Sequence, residues 1–288
     1  MDQVSRRRSL QTVFSNTPLT ALDPIPRAMI TGVTSDSRSV RRGFAFVAIK
    51  GESSDGYDYI PSAVLNGARV IFSDRHKPEG LKIPYIRLED ELHFALAYLA
   101  ASFQGFPARK MRMIGVTGTD GKTSTSLLIH HLLIQAGIAA GIISTVSAQI
   151  GDEALDTGFH VTTPDSPDIQ AYLAEMVAAG MTHCVLETTS HGLAQGRVVA
   201  CDYDLAVVTN ITHEHLDYHG TYENYLRTKG KLFEMLSETP RKGIGNPRLA
   251  ILNKDDRSYS TLKRLSPTGF LTYSLLNEAH FWADDITS

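Results

Sequence analysis

The segment of residues 118–124 constrains the fold of this chain more than any other. Its sequence is Gly-Thr-Asp-Gly-Lys-Thr-Ser, and it lies between an apolar run at 113–116 and a segment at 127–133 with apolar residues at helical spacing. The pattern predicts a strand, a glycine-rich loop and a helix. In such a loop, backbone N–H groups and the helix N-terminus surround phosphate oxygens. We therefore expect phosphate binding, with Lys122 reaching the outer phosphates and the Thr123 hydroxyl on Mg²⁺.

The loop departs at one position from the P-loop pattern G-x-x-x-x-G-K-[ST]. The pattern requires a glycine five residues before Gly121, and Val116 stands there, while the nearby glycines are Gly115 and Gly118. The alternative interpretation is a glycine turn followed by a solvated lysine. That alternative does not account for the whole run of residues between the predicted strand and helix. We therefore keep the phosphate-binding interpretation.

The bulk properties are those of an ordinary globular protein. The 288 residues, 42% hydrophobic and 20% charged, are enough for one large or two ordinary domains. The net charge of −3 gives no reason to propose nucleic acid or an acidic membrane as partner. Cys184 and Cys201 lack metal-type pairing and are expected to be reduced structural residues. No apolar run approaches the roughly 18–20 residues of a transmembrane helix, and we expect a cytoplasmic monomer.

Composition shifts divide the chain into two α/β regions. Residues 1–28 are polar and proline-punctuated, which predicts a poorly structured leader. Residues 29–103 are expected to form a small N-terminal α/β domain, followed by a Gly/Pro-containing linker at 104–109. Strands alternate with helices from residue 110 to 288, which predicts a doubly wound, mostly parallel sheet of the P-loop NTPase type. Ligands of such sheets bind beyond the carboxyl ends of the strands, where the glycine loop would lie.

Acidic and histidine residues follow two further predicted strands. Glu187 ends an apolar run, so its carboxylate is expected to hold Mg²⁺ opposite Thr123; the alternative is a solvated strand-end glutamate. Residues 213–219 contain three histidines and two acids, which invites a zinc interpretation. Zinc sites use other spacings, so we favour one histidine that supplements a magnesium site.

Four ordered motifs together resemble the ATP-dependent Mur ligases of peptidoglycan synthesis. These motifs are residues 115–123, 162–164, 187–193 and 210–220. Residues 35–38 and 46–51 are also similar to segments of the N-terminal domain in the family members that add the third amino acid. The family's own loop has an apolar residue at the position of Val116. The resemblance covers the chain from about Met29 to Ser288.

The resemblance implies roles for individual residues. Lys122 would stabilise the transferring phosphoryl group, and Lys229 falls where the family carries a carbamylated lysine, although the spacing alone favours a solvated helix lysine. The catalytic residues implied are Lys122, Lys229 and His215. Those implied for Mg²⁺ are Thr123, Glu187, His215 and Lys229. Those implied for the ATP phosphates are Gly118, Thr119, Asp120, Gly121, Lys122, Thr123 and Ser124. Those implied for UDP-muramoyl-peptide are Ser37, Glu52, Ser53, Ser54, Thr162, Thr163, Thr189, Gln195 and Arg197.

The implied activity uses ATP and Mg²⁺ and has two steps. The terminal carboxylate of UDP-N-acetylmuramoyl-L-alanyl-D-glutamate forms an acyl phosphate, and the amine of diaminopimelate or lysine then displaces phosphate. Family members continue past a position like Ser288, completing the central domain and adding one that binds the amino acid, so we expect the 288 residues alone to bind substrate with poor or no ligation. Alternatives are an inactive fragment or binding module, and a P-loop NTPase of other specificity. Folylpolyglutamate synthetase, a superfamily relative, lacks a domain with a segment like residues 35–38.

Overall fold

The computed structural model describes residues 7–51, 54–144, 148–150, 153–155, 163–214, 216–266 and 268–283. The chain divides into two compact units, Met1–Phe106 and Pro107–Ser288. None of the helices in the described ranges has the length and apolar character needed to span a membrane.

The first unit contains a parallel four-stranded sheet and a short antiparallel strand pair. Its strands are β1 (Arg8–Ser9), β2 (Met29–Ile30), β3 (Gly32–Thr34), β4 (Phe44–Val47), β5 (Val70–Ser73) and β6 (Tyr85–Arg87). Its helices are α1 (Leu10–Ser15), α2 (Ile60–Leu65) and α3 (Leu92–Gln104). The sheet has the order β3-β4-β5-β6, and β1 pairs with β2. All four sheet strands therefore have their carboxyl ends at one edge.

Both faces of this sheet are buried, which explains its nearly continuous apolar strands. Val47 and Phe72 belong to the core formed with α1 and α3. Phe46 and Ile71, their neighbours along the strands, pack with Ala63 of α2 on the opposite face. Successive side chains of a strand point to opposite faces, so a polar residue at either position would meet a core.

Helix α1 lies in the segment predicted to be poorly structured. Leu10 and Val13 are buried, and the Ser102 hydroxyl of α3 donates a hydrogen bond to the Val13 carbonyl at 2.7 Å. The structure thus differs from the expectation for the part of residues 1–28 that it describes. Two apolar side chains spaced three residues apart lie on one helix face. This is enough to dock a short helix even though its flanks are polar.

The second unit is built on a nine-stranded sheet. Its strands are β7 (Arg112–Thr117), β8 (Ala140–Ile143), β9 (Ala148–Ile150), β10 (Glu153–Leu155), β11 (His183–Glu187), β12 (Leu205–Val208), β13 (Leu249–Asn253), β14 (Phe270–Ser274) and β15 (Phe281–Trp282). Its helices are α4 (Lys122–Gln135), α5 (Ser166–Ala178), α6 (Ser190–Ala194), α7 (Leu216–His219), α8 (Tyr222–Glu238) and α9 (Tyr259–Arg264). The order is β10-β9-β8-β11-β7-β12-β13-β14-β15, parallel from β8 to β15 and antiparallel at β9 and β10.

Helices cover both faces of this sheet, which confirms the predicted doubly wound α/β fold. Val116 of β7 packs with Ile129 of α4 on one face. Met113, also in β7, belongs to the core on the other face, together with Leu173 of α5 and Leu232 of α8. Strand β7 lies between β11 and β12, so the loop that follows it emerges at the centre of the sheet, among the carboxyl ends of its neighbours.

Candidate active site

The glycine loop connects β7 to α4, as the sequence predicts. Gly121 caps the helix in the left-handed conformation (φ 76°). Gly118 has φ 156°, and a Cβ atom there would lie 1.8 Å from Oγ1 of Thr209. No side chain fits in that space. The two glycines therefore permit the turn and the close approach of β12's carboxyl end to the loop.

Three hydrogen bonds to the loop backbone connect the loop to the segment after β12. The N–H of Thr119 donates to the carbonyl of Asn210 at 2.7 Å, and the N–H of Asp120 donates to Oδ1 of Asn210 at 3.1 Å. The Thr209 hydroxyl donates to the carbonyl of Asp120 at 2.6 Å. These contacts fix the loop from one side before any ligand binds, which lowers the entropy cost of ordering it around phosphates.

A hydroxyl and a carboxylate meet at the helix N-terminus. Thr123 Oγ1 donates to the carboxylate of Glu187, at 3.0 Å from Oε1 and 3.1 Å from Oε2. Glu187 ends β11, whose register places it beside Val116 of β7, and it is only 1% exposed. Lys122 Nζ donates to the carbonyl of Thr119 at 2.6 Å and so folds back over the loop. The two parallel strands thus bring the acidic residue to the loop.

These groups fit a magnesium ion in type. Mg²⁺ takes oxygen ligands and is typically held by one or two carboxylates plus substrate phosphates, with water completing its shell. The Thr123 hydroxyl and the Glu187 carboxylate supply such oxygens beside the phosphate-binding loop. No group of three or more His, Cys, Asp or Glu residues that could hold a metal occurs among the described residues. His215, the proposed further ligand, lies outside them.

Lys229 reaches the same loop from α8. It is 1% exposed, and its Nζ donates to the carbonyl of Gly118 at 2.7 Å and lies 4.6 Å from the centre of the Tyr225 ring. Burial, and next the nearby Lys122, lower the pKa of Lys229 to about 7, while the charge of Glu214 acts in the opposite direction. The solvated-lysine alternative is therefore wrong: Lys229 occupies the buried, apolar side of an amphipathic helix.

A second group of predicted residues meets on the other side of Glu187. The hydroxyls of Thr163 and Thr189 are 2.9 Å apart, and the Arg197 guanidinium donates to the Thr163 carbonyl at 2.6 Å. Thr189 also caps α6 by accepting a hydrogen bond from the Gly192 N–H at 3.1 Å. The Thr163 hydroxyl donates to the carbonyl of Glu187 at 3.3 Å, which ties this group to the end of β11.

Asp165 holds the arginine of this group and was not singled out from the sequence. Its carboxylate forms an ion pair with Arg197 at 3.1 Å. Gln195 follows α6, where its N–H donates to the carbonyl of His191 at 2.9 Å. Thr162, predicted to belong here, lies outside the described residues. The arrangement offers an anchored guanidinium and two hydroxyls, which suit a carboxylate-bearing ligand.

The predicted residues of the first unit lie at the carboxyl ends of its strands. Ser37 follows β3 and is buried, with its carbonyl accepting from the Asn66 side chain at 2.8 Å. Ser54 follows β4, and its carbonyl accepts from the Gly51 N–H at 2.8 Å. Glu52 and Ser53 lie outside the described residues.

Two residues that contact the loop were missed in the sequence. Thr209 follows β12 directly. The one sequence feature that indicates a contact with the loop is its position immediately before Asn210, the first residue of the motif at 210–220. Tyr225 precedes Lys229 by one helical turn, and its hydroxyl lies 3.2 Å from Oγ1 of Thr119. Burial raises the pKa of Tyr225 to about 12, so this phenol stays protonated as a hydrogen-bonding group. Its position four residues before Lys229 places both side chains on the same face of a helix, which is a signal that the sequence contains.

Comparisons with known proteins identify the family of this chain. A family profile described as "Mur ligase middle domain" matches residues 116–288, and one described as "Mur ligase family, catalytic domain" matches residues 29–104. A UDP-N-acetylmuramyl-tripeptide synthetase from Deinococcus radiodurans is 41% identical over 277 residues, which cover 93% of this chain and 53% of that protein. A UDP-N-acetylmuramoyl-L-alanyl-D-glutamate–2,6-diaminopimelate ligase from Bacillus licheniformis is 38% identical over 277 residues, covering 96% and 55%.

The fold comparison leads to the same group of proteins. A solved structure of a UDP-N-acetylmuramoyl-L-alanyl-D-glutamate–2,6-diaminopimelate ligase superimposes with a TM-score of 0.78 at 27% identity, covering 96% of this chain and 54% of that one. The chain thus spans about half the length of the curated relatives it matches. Because the middle-domain profile covers more than half of its residues, and the loop, strand-end glutamate and buried lysine lie together, the chain belongs to the Mur ligase family.

Proposed function

We propose that this chain carries the nucleotide-binding parts of an ATP-dependent ligase that adds the third amino acid to UDP-N-acetylmuramoyl-L-alanyl-D-glutamate. The observation that carries the proposal is the contact of Thr123 with Glu187 beside Lys122, at the carboxyl edge of the central sheet. Relatives with this family's domains are named as ligases of that dipeptide substrate. The added amino acid belongs to the class of diaminopimelate or lysine.

The residues of the loop would hold and neutralise the phosphates of ATP. Backbone N–H groups at the start of α4 and the Lys122 ammonium are positive where charge develops on phosphoryl oxygens, which is the main requirement of phosphoryl transfer. Thr123 and Glu187 would hold Mg²⁺, which supplies further charge neutralisation on those oxygens when bound. Transfer of the phosphoryl group to the substrate carboxylate gives an acyl phosphate, which an amino acid's amine then attacks.

Lys229 is proposed to act as a carbamate. A pKa of about 7 leaves a large neutral fraction at physiological pH, and only the neutral amine can attack CO₂. The nitrogen forms a bond to carbon and loses a proton, so the side chain changes from a cation to an anion with two oxygens. Such oxygens suit Mg²⁺, whereas an ammonium does not.

Thr163, Thr189 and Arg197 are proposed to bind the peptide part of the substrate, and Ser37 and Ser54 its uridine diphosphate. The Arg197 guanidinium is held by Asp165 and by the Thr163 carbonyl, so it is oriented before the ligand arrives. A carboxylate of the muramoyl-peptide matches its planar donor geometry.

Calorimetric titration of the 288-residue chain with UDP-N-acetylmuramoyl-L-alanyl-D-glutamate tests the substrate class, with Mg²⁺ and a non-hydrolysable ATP analogue present. Saturable binding is expected, and Arg197→Ala is expected to weaken it about tenfold through loss of one charge-assisted contact. Arg227→Ala, which removes an exposed arginine of α8, is the matched control and leaves affinity unchanged. A folded chain that binds no muramoyl-peptide, or equal losses in the two variants, would contradict the proposal.

Lys122→Ala separates the two nucleotide sites. The variant is expected to lose the ATP analogue while retaining the uridine nucleotide, because the Lys122 ammonium hydrogen-bonds the glycine loop of the second unit, whereas the proposed uridine residues belong to the first unit. Loss of both ligands together would contradict the assignment of separate sites.

A further inference from the structure

A cavity of about 980 Å³ opens at the amino edge of the sheet in the first unit. One wall comes from β1, β2 and the segment before β2, and the other from the residues that enter β3, β4, β5 and β6. Four arginines line it: Arg7, Arg27, Arg42 and Arg69. Among the described residues, its lining contains neither aspartate nor glutamate. The cavity is therefore a concave surface with a concentrated positive charge inside a protein whose net charge is negative.

The arginines of this cavity differ from others in the same unit. Arg38, Arg75 and Arg87 each form an ion pair with an aspartate, at 2.9, 2.7 and 3.0 Å. None of the four cavity arginines pairs with a carboxylate in the part of the chain that the structure describes. All four are exposed, and their guanidinium groups donate no hydrogen bond to another described residue, so their donors are open to a ligand.

The floor beneath these side chains is fixed. Gly43 and Gly67 both have positive φ, and the Gly43 N–H donates to the Gly67 carbonyl at 2.9 Å. A Cβ at Gly67 would lie 2.9 Å from the Cα of Arg42, and the Thr31 hydroxyl donates to the Arg42 carbonyl at 2.9 Å. Arg42 and Arg69 therefore project from a closely packed, hydrogen-bonded backbone.

The position of the cavity separates it from the uridine-nucleotide site proposed above. Ser37 and Ser54 follow the carboxyl ends of β3 and β4, whereas Arg42 and Arg69 precede the amino ends of β4 and β5. Because these strands are parallel, the two sets lie at opposite edges of the sheet. The cavity is thus unused by the proposed ligase function, and its ligand is independent of that function.

We propose that this cavity binds a small organic polyphosphate. Arginine matches phosphate oxygens in pairs, and several arginines around one cavity favour an anion with two or more phosphate groups. Met29, half-exposed, and Ile83 add an apolar surface that an inorganic anion would leave uncovered. The volume is that of a small-molecule site. A nucleoside polyphosphate satisfies the charge, the apolar surface and the size together.

The test is calorimetric titration with inorganic tripolyphosphate and, separately, with GTP, in the absence of Mg²⁺. Lys122→Ala weakens phosphate binding at the glycine loop, and substitutions of the cavity arginines then distinguish the cavity from the proposed uridine-nucleotide site. Adding Arg42→Gln and Arg69→Gln to this variant is expected to raise the Kd at least about tenfold. Adding Arg41→Gln and Arg227→Gln, exposed arginines that remove the same charge outside the cavity, changes the Kd by less than about twofold.

Two results would overturn the proposal. One is an absence of tripolyphosphate binding in Lys122→Ala at millimolar concentration. The other is an equal effect of the cavity pair and the control pair, which would mean nonspecific attraction. The organic part is tested by Met29→Ser, which is expected to weaken GTP and leave tripolyphosphate unchanged. If GTP and tripolyphosphate bind with equal Kd values when Met29 is present, the proposed contact with an organic group is wrong. Glutamine keeps the backbone hydrogen bonds of Arg42 and Arg69, so the fold is retained.

Discussion

Two buried lysines, Lys242 and Lys229, lie at opposite edges of the same sheet and differ in the groups that they contact. Lys242 at the amino edge donates to Asp204 at 2.5 Å and to the carbonyls of Met111 and Asp202 at 3.0 and 2.6 Å. Lys229 at the carboxyl edge donates to one carbonyl, that of Gly118, and forms no ion pair within the described ranges.

The difference lies in how the buried positive charge is compensated. Burial lowers the pKa of both lysines, but the Asp204 carboxylate opposes that effect at Lys242. At Lys229 the second cause is another cation, Lys122, which lowers the pKa further. The amino edge therefore uses its lysine to complete a structural ion pair, whereas the carboxyl edge holds a lysine whose charge is poorly satisfied. A lysine with a lowered pKa beside a ligand-binding loop is typical of a functional site.

The largest expected effect is the loss of Lys242. Lys242→Met leaves Asp204 buried without its cation, and we expect the free energy of unfolding to fall by about 3–5 kcal/mol. Urea unfolding followed by circular dichroism measures it. Adding Asp204→Asn removes the unpaired charge while keeping an acceptor for the Met113 N–H, which Asp204 binds at 2.7 Å, so the double variant recovers part of the loss. If Lys242→Met lowers the free energy of unfolding by less than about 1 kcal/mol, Lys242 does not complete a structural ion pair, and the contrast with Lys229 is wrong.

Much of this arrangement could be predicted from the sequence, because it depends on local pattern. The apolar run, the glycines and Lys122 sufficed to predict strand, loop and helix, and the parallel sheet then brought Glu187 to Thr123. Each of these steps depends on residues that are neighbours in sequence, or on the rule that the carboxyl ends of parallel strands lie together at one side of the sheet.

The structure adds what depends on distant contacts. Lys242 follows α8 in a segment with no motif, and its partners lie 38 to 131 residues away. Thr209 acts on the loop through a hydrogen bond to Asp120, 89 residues distant. Side chains that complete a site from across the sheet leave no periodic signal, so only the folded chain identifies them.

The second prediction concerns the pH dependence of stability, and it distinguishes the lysines directly. The pKa of Lys229 falls from its ordinary 10.5 to about 7 in the folded chain. Between these values the unfolded chain binds more protons, so the Lys229 contribution to stability rises with pH across that window and is lost as pH falls through 7. The total is on the order of a few kcal/mol.

Lys229→Met removes the contribution of this side chain to the pH dependence of stability. The variant is therefore the reference with which the wild-type chain is compared at each pH. In bicarbonate-free buffer, we expect the variant to be more stable than the wild-type chain near pH 6, with the difference shrinking steadily toward pH 10. Denaturant unfolding at several pH values measures both. A constant difference across the window would show that the pKa of Lys229 is not lowered, and the comparison with Lys242 would then fail.

The third prediction removes charge from the carboxyl edge without changing shape. Glu187→Gln keeps an acceptor for the Thr123 hydroxyl but loses the negative charge proposed to face Mg²⁺. We expect the enhancement of ADP affinity by Mg²⁺ to fall about tenfold, with Mg²⁺-free affinity nearly unchanged. Calorimetry with and without the ion measures this, and an unaltered enhancement would remove Glu187 from the metal site.

The smallest expected effect tests whether the loop is held in place before a ligand arrives. Thr209→Val keeps the shape of the side chain and removes the hydrogen bond to the Asp120 carbonyl. A net hydrogen bond contributes about 0.5–1.5 kcal/mol, so Mg²⁺-free ADP affinity should fall by about twofold to tenfold. Thr228→Val removes a comparable hydroxyl bond on α8, to the Asn224 carbonyl, and should leave affinity unchanged. If both variants bind ADP as the wild-type chain does, the contacts from the end of β12 do not preorganise the loop. The difference between the two edges of the sheet would then rest on Lys229 and Glu187 at the carboxyl edge and on Lys242 at the amino edge.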